Sequence, residues 1–247
     1  MRQFQRAIII GASSGMGEAL ATQLAAQGAQ VALVARREAE LAHIQAQLGA
    51  ERCYCYVHDV QERDKIPTIF QQIAHDMGGV DLVVYAAGIM PDVGPDEYNT
   101  VLDVEILSIN LLGAIAWLNE AAARFARTGN GTIIGISSVA GDRGRRANPA
   151  YATSKAALTT YLEALRNRLS VKGVTVLTIK PGYVATPMLA GAKISKLFPV
   201  IPADRAAREI LTAAAKQQQV AYVPAVWRPI MGLVRAIPSR LFRRLNV

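Results

Sequence analysis

The chain runs out of acidic residues at Glu209. Beyond it come Lys216, Arg228, Arg235, Arg240, Arg243 and Arg244 with no acid among them. Removing these six from the 27 basic residues leaves 21 against 19 acids, so the body is nearly neutral and most of the formal +8 belongs to the tail. No basic stripe interleaved with aromatics crosses the body, which argues against a nucleic-acid-binding core. Cysteine is scarce too. Cys53 and Cys55 stand two apart, where strand spacing turns both to one face and a bridge would distort the backbone. One Cys-x-Cys without a second pair is too little for a metal centre, so both read as reduced structural residues and no metal is expected. No run of eighteen apolar residues occurs, so no transmembrane helix is expected. The apolar run Ala7 to Ile10 is too short for a signal peptide, and the expectation is a cytoplasmic protein. Charged residues make up only 19% and apolar ones 51%, an ordinary balance for a folded domain and not for a disordered chain.

What is present alternates. Short apolar runs at 6–10, 30–35, 52–57, 81–85, 132–137, 174–179 and 220–223 have strand character. Between them, 18–27, 38–48, 61–77, 96–107, 108–127, 151–171 and 203–216 carry helical patterns, most of them closed by glycine. Strand alternating with helix implies an α/β fold, a Rossmann-type doubly wound parallel sheet of about seven strands with helices on both faces. No linker or repeat interrupts the pattern. Residues 1–225 read as one domain and 226–247 as a basic amphipathic tail.

The first strand ends in Gly11-Ala12-Ser13-Ser14-Gly15-Met16-Gly17, and a helical pattern follows at once. Gly11 suits a tight turn, Gly15 lets backbone approach a pyrophosphate at the helix N-terminus, and Gly17 lets helix and strand pack closely. At the first βα junction this loop points to dinucleotide binding. An acid about 20 residues further on usually holds the ribose 2′-hydroxyl of NAD. Here that position is Ala35, followed by Arg36 and Arg37. Two arginines at the start of a helix oppose its macrodipole, so they need another reason. An arginine fork attracts a 2′-phosphate, which favours NADP(H) over NAD(H).

The chemistry centres on Tyr151 and Lys155, one helical turn apart on one face. A phenol titrates near ~10 and is a poor base at neutral pH. A cation about 4 Å away is worth ~4 kcal/mol at an effective dielectric of ~20. Lys155 alone would thus lower the phenol by roughly two or three units and make Tyr151 a usable acid and base for an alcohol/ketone pair. Ser138, at the end of the fifth strand, would hold the substrate oxygen.

Together Gly11-x-x-x-Gly15-x-Gly17, His58-Asp59-Val60, Tyr85-Ala86-Ala87-Gly88, Asn110, Ser138, Tyr151-x-x-x-Lys155 and Pro181-Gly182-Tyr183-Val184-Ala185-Thr186 resemble the short-chain dehydrogenase/reductase family over roughly residues 5 to 225. The resemblance implies that Asp59 and Val60 meet the adenine, that Ala87 and Gly88 pass under its ribose, and that Asn110 kinks its helix and holds a proton-relaying water. It implies that Lys155 also binds the nicotinamide ribose, and that Pro181, Gly182, Val184 and Thr186 clamp the carboxamide. The implied catalytic set is Asn110, Ser138, Tyr151 and Lys155. The implied cofactor set adds Ser13, Ser14, Met16, Arg36 and Arg37. Two departures stand out. Ile10 replaces the usual threonine, and Tyr85-Ala86 replaces two asparagines, removing amide contacts there.

The implied activity is interconversion of a carbonyl and an alcohol on an apolar small molecule, with NADP(H) as cofactor. The alternative is a cofactor-sensing or scaffolding protein that keeps the fold without catalysis; it would be expected to lack one of the four catalytic residues. The segment from Pro187 to Pro199 reads as a lid over the substrate. Arg143, Arg145 and Arg146 read either as a solvated loop or as a greeting for an acidic substrate. The long apolar helices imply a homodimer or homotetramer. In the tail, Trp227, Ile230, Met231, Val234, Leu241 and Leu245 share a helical face broken near Pro238. Bordered by arginines, that face suits peripheral attachment at the inner face of a membrane, or equally packing on the protein's own lid or a neighbouring subunit.

Overall fold

The computed structural model describes residues 3–94, 96–190 and 198–245. Seven parallel strands form the central sheet: β1 (Arg6–Ile10), β2 (Gln30–Ala35), β3 (Cys53–Val57), β4 (Leu82–Tyr85), β5 (Gly131–Ile136), β6 (Val174–Pro181) and β9 (Val220–Val223). Their order is β3-β2-β1-β4-β5-β6-β9. The order reverses between β1 and β4, whose Ile10 and Tyr85 lie side by side. Ligands of open α/β sheets bind in the crevice at such a switch point, outside the carboxyl ends of the strands. A second, two-stranded sheet that the sequence pattern did not suggest pairs β7 (Tyr183–Ala185) with β8 (Val200–Pro202). Three residues per strand are too few to show a period.

Alternate residues of β1 feed two cores. Ile9 packs with Leu20 and Leu24 of α1 (Gly15–Ala26), Leu41 of α2 (Glu38–Leu48) and Ile210 of α7 (Ala203–Ala215). Ile8 and Ile10 pack on the other face with Phe70 of α3 (Ile66–Asp76), Trp117 of α5 (Gly113–Thr128) and Leu162 of α6 (Pro149–Leu169). Both faces are covered, which is why the strands read as continuous apolar runs rather than alternating ones.

Several helix boundaries differ from the sequence reading. The third helix starts at Ile66, not at residue 61, and places Pro67 in its first turn, where no intrahelical donor is lost. The fourth, α4 (Thr100–Leu107), starts at Thr100, not at residue 96, because Asn99 caps it, its side chain accepting from the Leu102 amide at 3.2 Å. The two helices expected at 96–107 and 108–127 are one rod, α4 and α5 joined through a π-turn at Ser108–Leu112. The rod, Thr100–Thr128, is long and apolar enough by length and composition alone to cross a membrane. In the fold, however, it lays Trp117, Leu118, Ala121 and Phe125 against the sheet. The tail forms α8 (Trp227–Ala236) and a short α9 (Ser239–Phe242), broken at Ile237-Pro238. Cys53 and Cys55 are free thiols on β3, and burial pushes the Cys53 thiol up to about 11, which leaves it unreactive at neutral pH.

Candidate active site

Two clefts meet at the carboxyl ends of the strands. The first, about 370 Å³, lies at the switch point between the loop after β1 and the turn after β4. Gly11 has φ +89°, and a Cβ there would come 2.5 Å from the Ala87 amide nitrogen, so only glycine lets the two loops touch. A Cβ on Gly17 would lie 2.1 Å from the Gly11 carbonyl oxygen. Ser13, Ser14, Gly15 and Met16 line the cleft, as do Asp59, Val60, Ala87, Gly88 and Thr186. Of the expected cofactor residues, Pro181, Gly182 and Val184 are instead on the wall of the second cleft.

Arg36 and Arg37 both reach the first cleft. Arg37 lies across the glycine loop, its guanidinium donating to Ser13 Oγ at 2.8 Å and to Ser14 Oγ at 2.7 Å. The Arg36 guanidinium sits 3.5 Å from the Asp59 carboxylate. These contacts account for two bases at a helix start. His58, named in the motif but given no role there, also lines this cleft. It is buried edge-on against Trp117, its pKa is lowered chiefly by that burial, and among the described residues neither ring nitrogen has a hydrogen-bond partner.

The second cleft, about 290 Å³, shares Met16, Thr186 and Met188 with the first. Ser138 and Tyr151 lie on its wall. The Ser138 loop is fixed to α6 from two sides. Ser137 Oγ donates to the Lys155 carbonyl at 2.8 Å, and a Cβ on Gly141 would come 2.7 Å from the Ala156 amide nitrogen. Asn148, at φ 47°, caps α6 by accepting from the Tyr151 amide at 3.1 Å. These contacts place Ser138 and Tyr151 on one wall of the cleft, with the serine hydroxyl near enough to act on the phenol.

Electrostatics at the pair differ from the sequence expectation. Burial raises the Tyr151 pKa; the nearby Ser138 hydroxyl and the charge of Arg145 pull it back. Lys155 is not among the groups that lower it. Its Nζ lies 5.7 Å from the tyrosine ring centroid and donates to the Ile136 carbonyl at 3.0 Å. Desolvation lowers Lys155 itself to about 8. One helical turn of spacing fixes the shared face but not the direction of a four-carbon side chain.

Asn110 sits in the π-turn with no exposed surface. Its carboxamide holds Ile89 by both backbone groups and donates to Ser154 Oγ at 3.3 Å. A Cβ on Gly88 would meet Asn110 Oδ1 at 3.2 Å and Lys155 Nζ at 3.5 Å, so the two polar groups converge beside Gly88. Tyr85, one of the two departures, turns away from this point and donates to the Ile109 carbonyl at 2.5 Å, serving a backbone acceptor in the π-turn.

The roof of the second cleft comes from the tail. Trp227, Ile230, Met231 and Val234 line it. Trp227 stacks on Phe198 at 5.2 Å and lies against Gly182, where a Cβ would overlap the indole. Four of the six tail residues that suited a membrane therefore face the protein's own pocket. Arg143 latches the helix. Its guanidinium donates to the carbonyls of Val234 at 2.8 Å and Ile237 at 2.5 Å, and stacks on Phe242 at 4.1 Å. Behind the Ser138 loop, Lys180 and Tyr222 both bind the Asp142 carboxylate, at 2.5 and 2.7 Å. The tail wall takes the expected alternative of packing on the protein's own lid, through Phe198, whereas the Asp142 cluster was not legible, since it joins residues far apart in sequence. Of the expected lid, Pro187–Ala190 and Phe198–Pro199 are described; residues 191–197 lie outside the described residues.

A family model described as short chain dehydrogenase matches residues 5–196. An uncharacterized oxidoreductase of Mycobacterium tuberculosis is 30% identical over 246 residues, 97% of this chain and 96% of the relative. One of Staphylococcus epidermidis is 32% identical over 185 residues, 75% of this chain and 80% of the relative. Among solved structures, an actinorhodin polyketide ketoreductase variant determined with NADPH superposes with a TM-score of 0.80 at 23% identity, covering 89% of this chain and 95% of that one. A protein described as a short chain dehydrogenase/reductase family protein gives 0.79 at 22% identity, covering 90% and 97%. With its switch-point cleft and with most of its length matched, the chain belongs to the short-chain dehydrogenase/reductase family and is an oxidoreductase of that family.

Proposed function

We propose that the protein interconverts a carbonyl and an alcohol on an apolar small molecule, using NADP(H), with Tyr151 as general acid and base. The observation that carries this reading is Ser138 and Tyr151 together on the wall of an apolar cleft that shares Met16, Thr186 and Met188 with the switch-point cleft. The first cleft fits a dinucleotide. Its glycine loop opens directly into the N-terminus of α1, and a Cβ on Gly15 would come 3.0 Å from the Thr186 methyl and narrow the cleft. Arg37, held by two serine hydroxyls, and Arg36 supply positive charge where Ala35 supplies no acid, which supports NADP(H) over NAD(H).

A nicotinamide cofactor, when bound, supplies or accepts the hydride. This chain's residues do the rest. In reduction Ser138 Oγ holds the substrate oxygen and Tyr151 Oη gives it a proton. Lys155, lowered to about 8, titrates near working pH and is suited to return a proton to the phenol. Asn110 keeps the π-turn and the segment leaving β4 at Ile89 fixed beside Lys155. Met90, Val139, Trp227 and Met231 exclude water and favour an apolar carbonyl compound.

Exposed Val101, Val104 and Leu112 on the α4–α5 rod support a homo-oligomer built across this helix, a dimer or a tetramer. The reading is tested by assaying a panel of ketones and alcohols with NADP(H) and NAD(H). Turnover of apolar carbonyl compounds with preference for NADPH supports it. Turnover with NADH alone, or none across the panel, counts against it.

A further inference from the structure

A third cavity, about 790 Å³, lies beside the roof of the apolar cleft, between the loop after Ser138 and the end of the tail. Arg143, Arg145, Arg146, Arg243 and Arg244 line it, and among the described residues no carboxylate does. Arg143 is engaged with the tail carbonyls and Phe242, and this contact is what brings the two arginine-bearing segments together. Among the described residues, none of the other four has an ion-pair partner. Like charges gathered without an acid repel one another and weaken the fold, unless an anion fills the space between them. Guanidinium forks match phosphate oxygens in pairs.

The cavity is continuous with the site. Arg143 and Arg145 line both it and the apolar cleft, and Arg145 is near enough to Tyr151 for its charge to lower the phenol pKa. A ligand with its carbonyl at Ser138 and Tyr151 and its apolar arm under Trp227 and Met231 would leave between α6 and the tail, past these arginines. We propose that the substrate carries a phosphate or diphosphate handle, which the Arg145, Arg146, Arg243 and Arg244 guanidinium groups bind while the apolar carbonyl arm enters the cleft. This rests on the reading of the cleft as a carbonyl-reducing site. It adds an anionic end to the apolar substrate class.

Inorganic pyrophosphate is the probe. It is titrated by calorimetry into the full chain with saturating NADP(H), and into the double variant Arg243→Ser, Arg244→Ser. Both residues are exposed and distant from the core, and NADPH affinity is measured separately on both proteins. The expected result is binding to the wild type that falls at least roughly tenfold in the variant, as suits loss of two charge-assisted contacts, with NADPH affinity equal. Pyrophosphate held by the glycine loop would survive in the variant, so equal binding in both proteins overturns the proposal, as does no binding in the wild type. Failure to bind NADPH would remove the oxidoreductase mechanism while leaving the difference in pyrophosphate binding readable. Co-sedimentation with phosphatidylglycerol vesicles that is lost in the variant would assign these arginines to a lipid surface and likewise overturn the proposal.

Discussion

The carboxamide of Asn110 grips the backbone of Ile89 from both sides, Nδ2 donating to its carbonyl at 2.9 Å and Oδ1 accepting from its amide at 2.8 Å. The grip ties the π-turn of the long rod to the segment leaving β4, and Gly88 and Lys155 Nζ lie against it. Asn110→Leu roughly keeps the volume and leaves the part-buried Ile89 groups without their side-chain partner. It is expected to cost about 1–3 kcal/mol of stability, read by urea denaturation, and to lower kcat more than it raises KM. Unchanged stability would show that the grip is not needed.

Lys155 gives a pH signature. Its folded pKa is about 8, below the unfolded value of 10.5. Between these two values the unfolded chain binds the extra proton, so this residue's contribution to stability rises with pH across the window and is flat below it. Tyrosines titrate near the upper end, so the comparison is with Lys155→Met. Wild-type stability relative to that variant is expected to increase from pH 8 to pH 10, measured by denaturation at each pH. A flat difference would mean that the ammonium is not desolvated.

Much of this was legible beforehand. The alternation of strand and helix follows from the apolar runs, and the glycine loop at the first βα junction pointed to the switch-point cleft, because local spacing determines both. What local spacing could not show was direction and distance. Tyr151 and Lys155 share a face, yet the lysine turns to Ile136, and it is the serine hydroxyl and Arg145, not the lysine, that lower the phenol pKa. The resemblance implied a kinked helix at Asn110, but the ordinary helical composition of Ser108–Leu112 did not show that the irregularity is a π-turn joining two helices into one rod. The tail's apolar stripe was visible, but the choice among membrane, lid and neighbouring subunit was not: Trp227 meets Gly182 and Phe198, residues far away in sequence.

Arg143 is a latch between the loop that carries Ser138 and the roof of the pocket. Arg143→Ala leaves the carbonyls at the end of α8 without their donor and loosens Trp227 and Met231 over the cleft. Loss of about 2 kcal/mol is expected, together with a larger rise in KM than fall in kcat for apolar substrates. Thermal denaturation and steady-state kinetics check it. If KM is unmoved, the tail helix does not shape the pocket.

The central claim is that Tyr151 moves the proton while Ser138 holds the oxygen. It is tested most directly by rapid mixing of Tyr151→Phe with NADPH and a carbonyl compound the wild type reduces. Cofactor affinity is measured alongside by fluorescence titration. The account expects hydride transfer to slow by about 100-fold or more, with NADPH affinity nearly unchanged, since only the hydroxyl is removed. Transfer at close to the wild-type rate would contradict it.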